Sequence, residues 1–209
     1  MHAWHYITHF GAAGLLLPLA ILLALALWSA GQTAALWRWA VALSLGAALV
    51  LVTKIAFMGW GIGSAQLDFT GISGHATLAT AIIPLALALV LTRSHSVARH
   101  VGLALGLLAG ALVSWSRVQV GAHSVSEVLA GFALGAAISV IAARLLQPPQ
   151  DAAPRWMVMA GLASMAVLNQ VLPQALPTHS WEQKLATTLS GRSVPYSRAM
   201  LHDRATFKL

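Results

Sequence analysis

Five stretches of this chain are each roughly as long and apolar as the ~20 residues that a helix needs to cross a bilayer. They cover residues 13–30, 39–58, 75–92, 101–115 and 125–146. A sixth candidate, 156–172, is shorter and contains Asn169 and Gln170. Lipid offers no partner to an open backbone N–H or C=O, so each run must fold as a helix. Composition points the same way. Of 209 residues, 58% are hydrophobic and 8% charged, whereas a soluble domain is about one-quarter charged. An ordinary soluble fold and a disordered chain are both excluded. The expected architecture is an all-α, polytopic membrane helix bundle with about six transmembrane helices. It occupies residues 1–173 and is followed by a polar C-terminal tail over 174–209.

Several function classes fall away at once. There is no cysteine, hence no disulfide framework, thiolate nucleophile or iron–sulfur cluster. The net charge is +7, but the basic residues are scattered rather than gathered into the stripe that nucleic acid requires. The first run has no Lys or Arg before Arg38. It lacks the positive leader of a signal peptide and reads as an uncleaved span. His2, His5 and His9 stand among Trp4, Tyr6 and Phe10, the pattern of an interfacial helix. Gly102, Gly106 and Gly110 recur every fourth residue, as do Gly131 and Gly135. Small residues at that spacing let helices pack closely.

The basic residues also set an orientation. With six spans, Arg38, Arg93, Arg99, Arg144 and Arg155 share one side with a single acid, Asp151. Short positive loops stay in the cytoplasm. Lys54, Arg117, the tail and the two polar stretches 59–74 and 116–124 then face outward, which in a bacterial inner membrane is the periplasm.

Ionisable groups within or at the edge of spans are costly and mark functional sites. Here they are Lys54, Asp68, His75, Arg117, His123 and Glu127, joined by Ser73. All fall on the outward side, although hydropathy alone did not require that convergence. Lys54 and Arg117 suit an anion with several oxygens. Ser73 and Gly74 open a helix, whose N-terminal N–H groups favour phosphate. His123 and Glu127 are four residues apart, on one helical face. The carboxylate can hold one imidazole nitrogen and present the other to a substrate. His75 is then available as a general acid. Two cations beside the two histidines oppose a metal site, so neither a metal nor another cofactor is expected. The set points to hydrolysis of a phosphomonoester or pyrophosphate. Asp68 fits either the mouth of this site or a turn.

These residues resemble the type 2 phosphatidic acid phosphatase family, the lipid phosphate phosphatases related to vanadium haloperoxidases. The family's motifs are Lys-x6-Arg-Pro, Pro-Ser-Gly-His and Ser-Arg-x5-His-x3-Asp. The second reads here Ile72-Ser73-Gly74-His75, and the third runs from Ser116-Arg117 through His123 to Glu127. The resemblance covers about residues 54–127. It implies a phosphohistidine at His123, a leaving-group acid at His75, and phosphate binding by Lys54, Ser73, Gly74 and Arg117. The first motif is degenerate: Gly61 and Ile62 stand where the family has Arg and Pro. Ile72 replaces a Pro, and Glu127 replaces an Asp.

The expected function is therefore removal of phosphate from a lipid phosphate or lipid pyrophosphate at the outer membrane face. Undecaprenyl pyrophosphate is the leading substrate because the site faces outward. A lipid-to-lipid phosphotransferase would use the same residues. A non-enzymatic lipid-phosphate binder or carrier is the rival that the degenerate first motif would suit.

Overall fold

The computed structural model describes residues 2–92, 96–147, 152–171 and 178–206. Arg93 and Asp151, which enter the orientation argument, lie outside the described residues, as does the tip of the sixth run at Leu172. Nine α-helices account for most of the described chain. They are α1 (His2–His9), α2 (Ala13–Ser29), α3 (Thr33–Trp60), α4 (Gly74–Leu91), α5 (Ser96–Gln119), α6 (Val125–Ala143), α7 (Ala153–Val171), α8 (Thr178–Ser190) and α9 (Arg198–Thr206). The all-α polytopic bundle expected from hydropathy is what forms. Five helical stretches among the described residues are long and apolar enough to cross a membrane: Ala3–Ser29, Thr33–Trp60, Gly74–Leu91, Val97–Gln119 and Val125–Ala143. The protein is an integral membrane protein.

Helix α7 falls outside that group of five, yet it runs the length of the bundle beside α2. Its Gly161 meets Leu19 and Leu22 of α2. Near its C-terminal end, Asn169 Nδ2 and Gln170 Nε2 donate to the carbonyl and hydroxyl of Tyr6 in α1, at 3.4 and 2.8 Å. The chain thereby returns to the end of the bundle that carries Thr8 and Arg117. The opposite end is closed by Gln32, whose side chain bonds both N–H and C=O of Gln147, and by Arg99, which donates to the Leu146 carbonyl.

Helix α4 is the most enclosed element. Ala79, Ala81, Ile82, Leu85, Ala86, Ala88 and Leu89 are all fully buried. Helices α5 and α6 reach it through their glycines. A Cβ on Gly106 would fall on Pro84 Cα, and one on Gly135 would overlap Thr80 Oγ1 and the Thr77 carbonyl. The four-residue glycine spacing is thus a packing device. On the α3 side, the buried Trp39 Nε1 donates to the Ala81 carbonyl at 2.9 Å.

The boundaries shift where polar residues prolong a helix. α5 continues to Gln119, so Ser116 and Arg117 lie on its last turns rather than in a connection. α3 ends at Gly61, whose φ of 70° and ψ of 24° are left-handed. Its N–H bonds the Phe57 carbonyl, and the Ile62 N–H bonds that of Ala56, as in the glycine-terminated end that helices commonly adopt. The position of the first-motif Arg is therefore a backbone turn that favours glycine.

Candidate active site

The last turn of α3, the 61–73 connection, the start of α4, the end of α5 and the start of α6 meet at one end of the bundle. Beside them lies a cavity of about 800 Å³, lined from α3, the 70–71 segment, the start of α4, Arg117 of α5 and the 122–123 turn, and also by His179, Glu182 and Gln183 of α8 and residues 195–198. Lys54, His75, Arg117 and His123 all line it, together with Gly74. Four helix ends thus deliver to one cavity the two cations and two imidazoles singled out in the sequence.

His123 sits in the tight turn between α5 and α6. Gly121, at φ 69°, makes that turn, and the Ala122 and His123 N–H groups bond back to the Arg117 carbonyl at 3.0 and 3.2 Å. Ser124 caps α6. Its hydroxyl accepts from Glu127 N–H at 3.4 Å, while Glu127 Oε2 accepts from Ser124 N–H at 3.2 Å. This reciprocal capping box fixes the Glu127 side chain over the turn. The same Oε2 meets His123 Nδ1 at 2.7 Å. Nδ1 is therefore the donating nitrogen, and Nε2 is left as the basic one.

Glu127 is fully buried, and several donors converge on it. Thr70 donates from its N–H, at 2.6 Å, and from its hydroxyl. Arg198 Nη2 donates to Oε1 and Oε2 at 2.9 and 2.8 Å. His123 lies outside the spanning helices, and its pKa is lowered from the ordinary 6.5. Burial is the main cause. Repulsion from Arg117 and Lys54 adds to it, and the Glu127 hydrogen bond and charge oppose it. The net shift favours the neutral imidazole.

Ser73 is the N-cap of α4 and is fully buried. Its hydroxyl and Arg117 Nε are buried polar atoms with no hydrogen-bond partner among the described residues. Unpaired buried donors are uncommon, and these two lie beside the cavity, where an anion could take them up. Arg117 Nη1 is anchored on Thr8 Oγ1 at 2.9 Å, which aims the guanidinium. Lys54 is held from the other side by the tail, with Nζ at 2.8 and 3.0 Å from the two oxygens of Glu182. Gly71, at φ 146°, lets the connection lie against the Lys54 backbone, where a Cβ would come within 3.2 Å of Cα.

Arg198, Glu182 and Thr70 were missed in the sequence. The tail reads there only as polar, and nothing in its pattern links it to residues 71 and 128 positions earlier. Asp68 lies in the 65–68 turn at φ 49°, where its side chain accepts from Arg198 and meets His202 Nε2 at 2.8 Å. Among the described residues no group of three or more His, Asp or Glu side chains is placed to hold a metal ion.

The fold and site are those of a membrane helix bundle with a carboxylate-held imidazole in a cation-lined cavity. The family model of the PAP2 superfamily matches residues 51–150, a segment that contains every site residue read from the sequence. A Klebsiella pneumoniae protein, described as an uncharacterized 22.5 kDa protein in the cps region, is 34% identical over 206 residues. The match covers 97% of this chain and 99% of that protein. No solved structure matches the chain. The chain belongs to the PAP2 superfamily, whose members are phosphatases.

Proposed function

We propose that this protein hydrolyses a lipid phosphate or lipid pyrophosphate through a phosphohistidine on His123. The observation that carries the reading is the shape of the cavity. Its polar end holds Lys54, His75, Arg117 and His123, while Leu43, Ala47, Val50 and Leu51 of α3 and Leu78 of α4 extend it as an apolar wall. Leu43 stands eleven residues before Lys54, which at 1.5 Å per residue is about 16 Å deeper along the helix. A phosphate attached to an acyl or prenyl chain fits such a trough, whereas a soluble phosphate ester has no use for the apolar wall.

In the proposed reaction, His123 Nε2 attacks phosphorus while Glu127 holds Nδ1–H and stabilises the imidazolium that develops. The N–P bond forms as the P–O bond to the leaving group breaks, and His75 gives its proton to the departing oxygen. Lys54, Arg117, Ser73 and the N–H groups at the start of α4 stabilise the charge on the transferring phosphoryl oxygens. Water, deprotonated by His75, then attacks phosphorus and releases phosphate from His123. The Arg-bearing loops at the other end of the bundle favour a site that faces the periplasm, and this favours undecaprenyl pyrophosphate as the leading substrate.

The test is phosphate release by the purified protein from phosphatidic acid, phosphatidylglycerophosphate and undecaprenyl pyrophosphate. Release from at least one lipid by wild type, with none by His123→Ala, is expected. An acid-labile label should be trapped on wild type alone. Binding of all three lipids without release would establish the carrier reading instead.

A further inference from the structure

We propose that Arg198, carried by the C-terminal segment, is a positioning residue of the catalytic dyad. It locks Glu127 in the orientation that presents His123 to phosphorus. The inference rests on the phosphatase reading given above.

The placement of Arg198 is built, not incidental. Tyr196 N–H donates to the Met58 carbonyl at 2.8 Å. The Tyr196 and Leu201 side chains pack on a small core of Phe57, Met58 and Ala186. The segment is thereby fastened to the last turn of α3, and the first residue of α9 points into the site. One guanidinium nitrogen, Nη1, donates to the carbonyl and carboxylate of Asp68. The other, Nη2, spans both oxygens of Glu127. The planar fork thus joins two carboxylates at fixed separation, which a point charge on a flexible stem cannot do.

The chemistry requires such a partner. Glu127 is fully buried, and a buried carboxylate needs a cation as well as hydrogen bonds. The working nucleophile is neutral and cannot supply that charge. Among the described residues, Arg198 is the Lys or Arg side chain in contact with Glu127. With it in place, Glu127 stays anionic and oriented while His123 Nε2 remains unprotonated. Without it, the carboxylate has no permanent counter-charge, draws a proton onto His123, and is oriented only by its bonds to Thr70, Ser124 and His123. The titratable and charged groups facing His123 are Glu127 on α6, Arg117 on α5, Lys54 on α3 and His75 on α4. Arg198 also lines the cavity, and its contact with the dyad runs through Glu127.

The test uses the full-length protein in detergent, with whichever of the three lipids named above wild type hydrolyses fastest. Arg198→Ala is expected to lower kcat about 100-fold, the scale of a misplaced catalytic group, with KM within about twofold of wild type. The acid limb of its kcat/KM profile should move to higher pH, and millimolar guanidinium should restore part of the rate. Arg198→Lys keeps the charge without the fork and should fall between the two; it also serves if the Ala variant does not fold. Wild-type turnover per folded molecule in both variants overturns the inference and leaves the phosphatase reading standing. A loss confined to KM overturns it too, because it would make Arg198 a substrate-binding group. Absence of hydrolysis by wild type overturns the reading beneath it.

Discussion

Lys54 Nζ donates to both carboxylate oxygens of Glu182, at 2.8 and 3.0 Å, across 128 residues of chain. Both side chains are mostly buried, with 21% and 13% exposed. The carboxylate takes the oxygens' place on a cation that the proposed reaction assigns to phosphate. An incoming phosphate must displace it or share the ammonium with it. Glu182→Gln should therefore tighten inhibition by inorganic phosphate about fivefold, the equivalent of roughly 1 kcal/mol. Product-inhibition constants for the two proteins decide the point. An unchanged constant would mean that Glu182 only docks α8 on α3.

The lowered pKa of His123 makes a prediction with a definite sign. The nucleophile must be neutral, so protonation removes activity from the acid side. With burial, Arg117 and Lys54 holding the imidazole below its ordinary 6.5, the acid limb of kcat/KM should lie below pH 6.5. Stability follows the same window. Below about pH 6.5 the unfolded chain takes up a proton that folded His123 refuses. This contribution to stability is present above 6.5 and is lost as pH falls toward the folded pKa. A kcat/KM profile between pH 4 and 8 measures the first effect. An acid limb at or above 6.5 would show that His123 is not the titrating nucleophile.

Much of this arrangement is legible in the sequence, and the reasons can be stated residue by residue. Lipid leaves a chain segment no alternative to helix, so the runs around Leu23, Val50 and Ile82 could be placed from hydropathy alone. The pairing of His123 with Glu127 follows from a separation of four residues, a local property that geometry converts into contact. Arg198 and Glu182 have no such local signature. Their partners, Glu127 and Lys54, lie 71 and 128 residues away, and the short polar helices α8 and α9 show in sequence only as a charged tail. Gly61 reads in sequence as a defect in the first motif. In the fold it is a left-handed helix end, where glycine has a conformational reason to stand.

The glycine spacing of α5 gives a prediction independent of the chemistry. Gly106 packs on the Pro84 backbone of α4, and an added Cβ would fall on Pro84 Cα. Neither backbone can yield as a flexible side chain would. Gly106→Ala should cost about 2 kcal/mol, the usual scale of overpacking, and lower the Tm in detergent. Gly121→Ala meets no atom within 4 Å but sits at φ 69°. Its smaller loss, about 1 kcal/mol, should come from backbone strain in the turn beside His123. Thermal unfolding of both variants distinguishes steric from conformational cost. Equal Tm values for Gly106→Ala and wild type would remove the close α4–α5 contact.

Glu127 serves two functions with one side chain, and its variants separate them. It is the third residue of the α6 capping box, accepting from Ser124 N–H at 3.2 Å, and it holds His123 Nδ1 at 2.7 Å. A capping box uses Glu or Gln at that position because the side chain must reach back to the cap. Glu127→Gln can keep the cap, yet it loses the charge and can favour the wrong imidazole tautomer. In a comparable triad that change costs about 10⁴ in rate. Glu127→Asp keeps the charge on a shorter arm. It should loosen the cap by about 1 kcal/mol while keeping much more turnover than Gln. The two variants are thus expected to rank in opposite orders for activity and for the cap's share of stability. The Arg198 contact is touched in both variants: a neutral amide leaves the guanidinium without its full counter-charge, and the shorter Asp draws its carboxylate back from Nη2. Turnover per folded molecule, measured beside Tm, decides the matter. Equal turnover in the two variants would remove Glu127 from the proposed machinery and leave it as the anchor of α6, and His123 would then be an imidazole without a carboxylate to orient it.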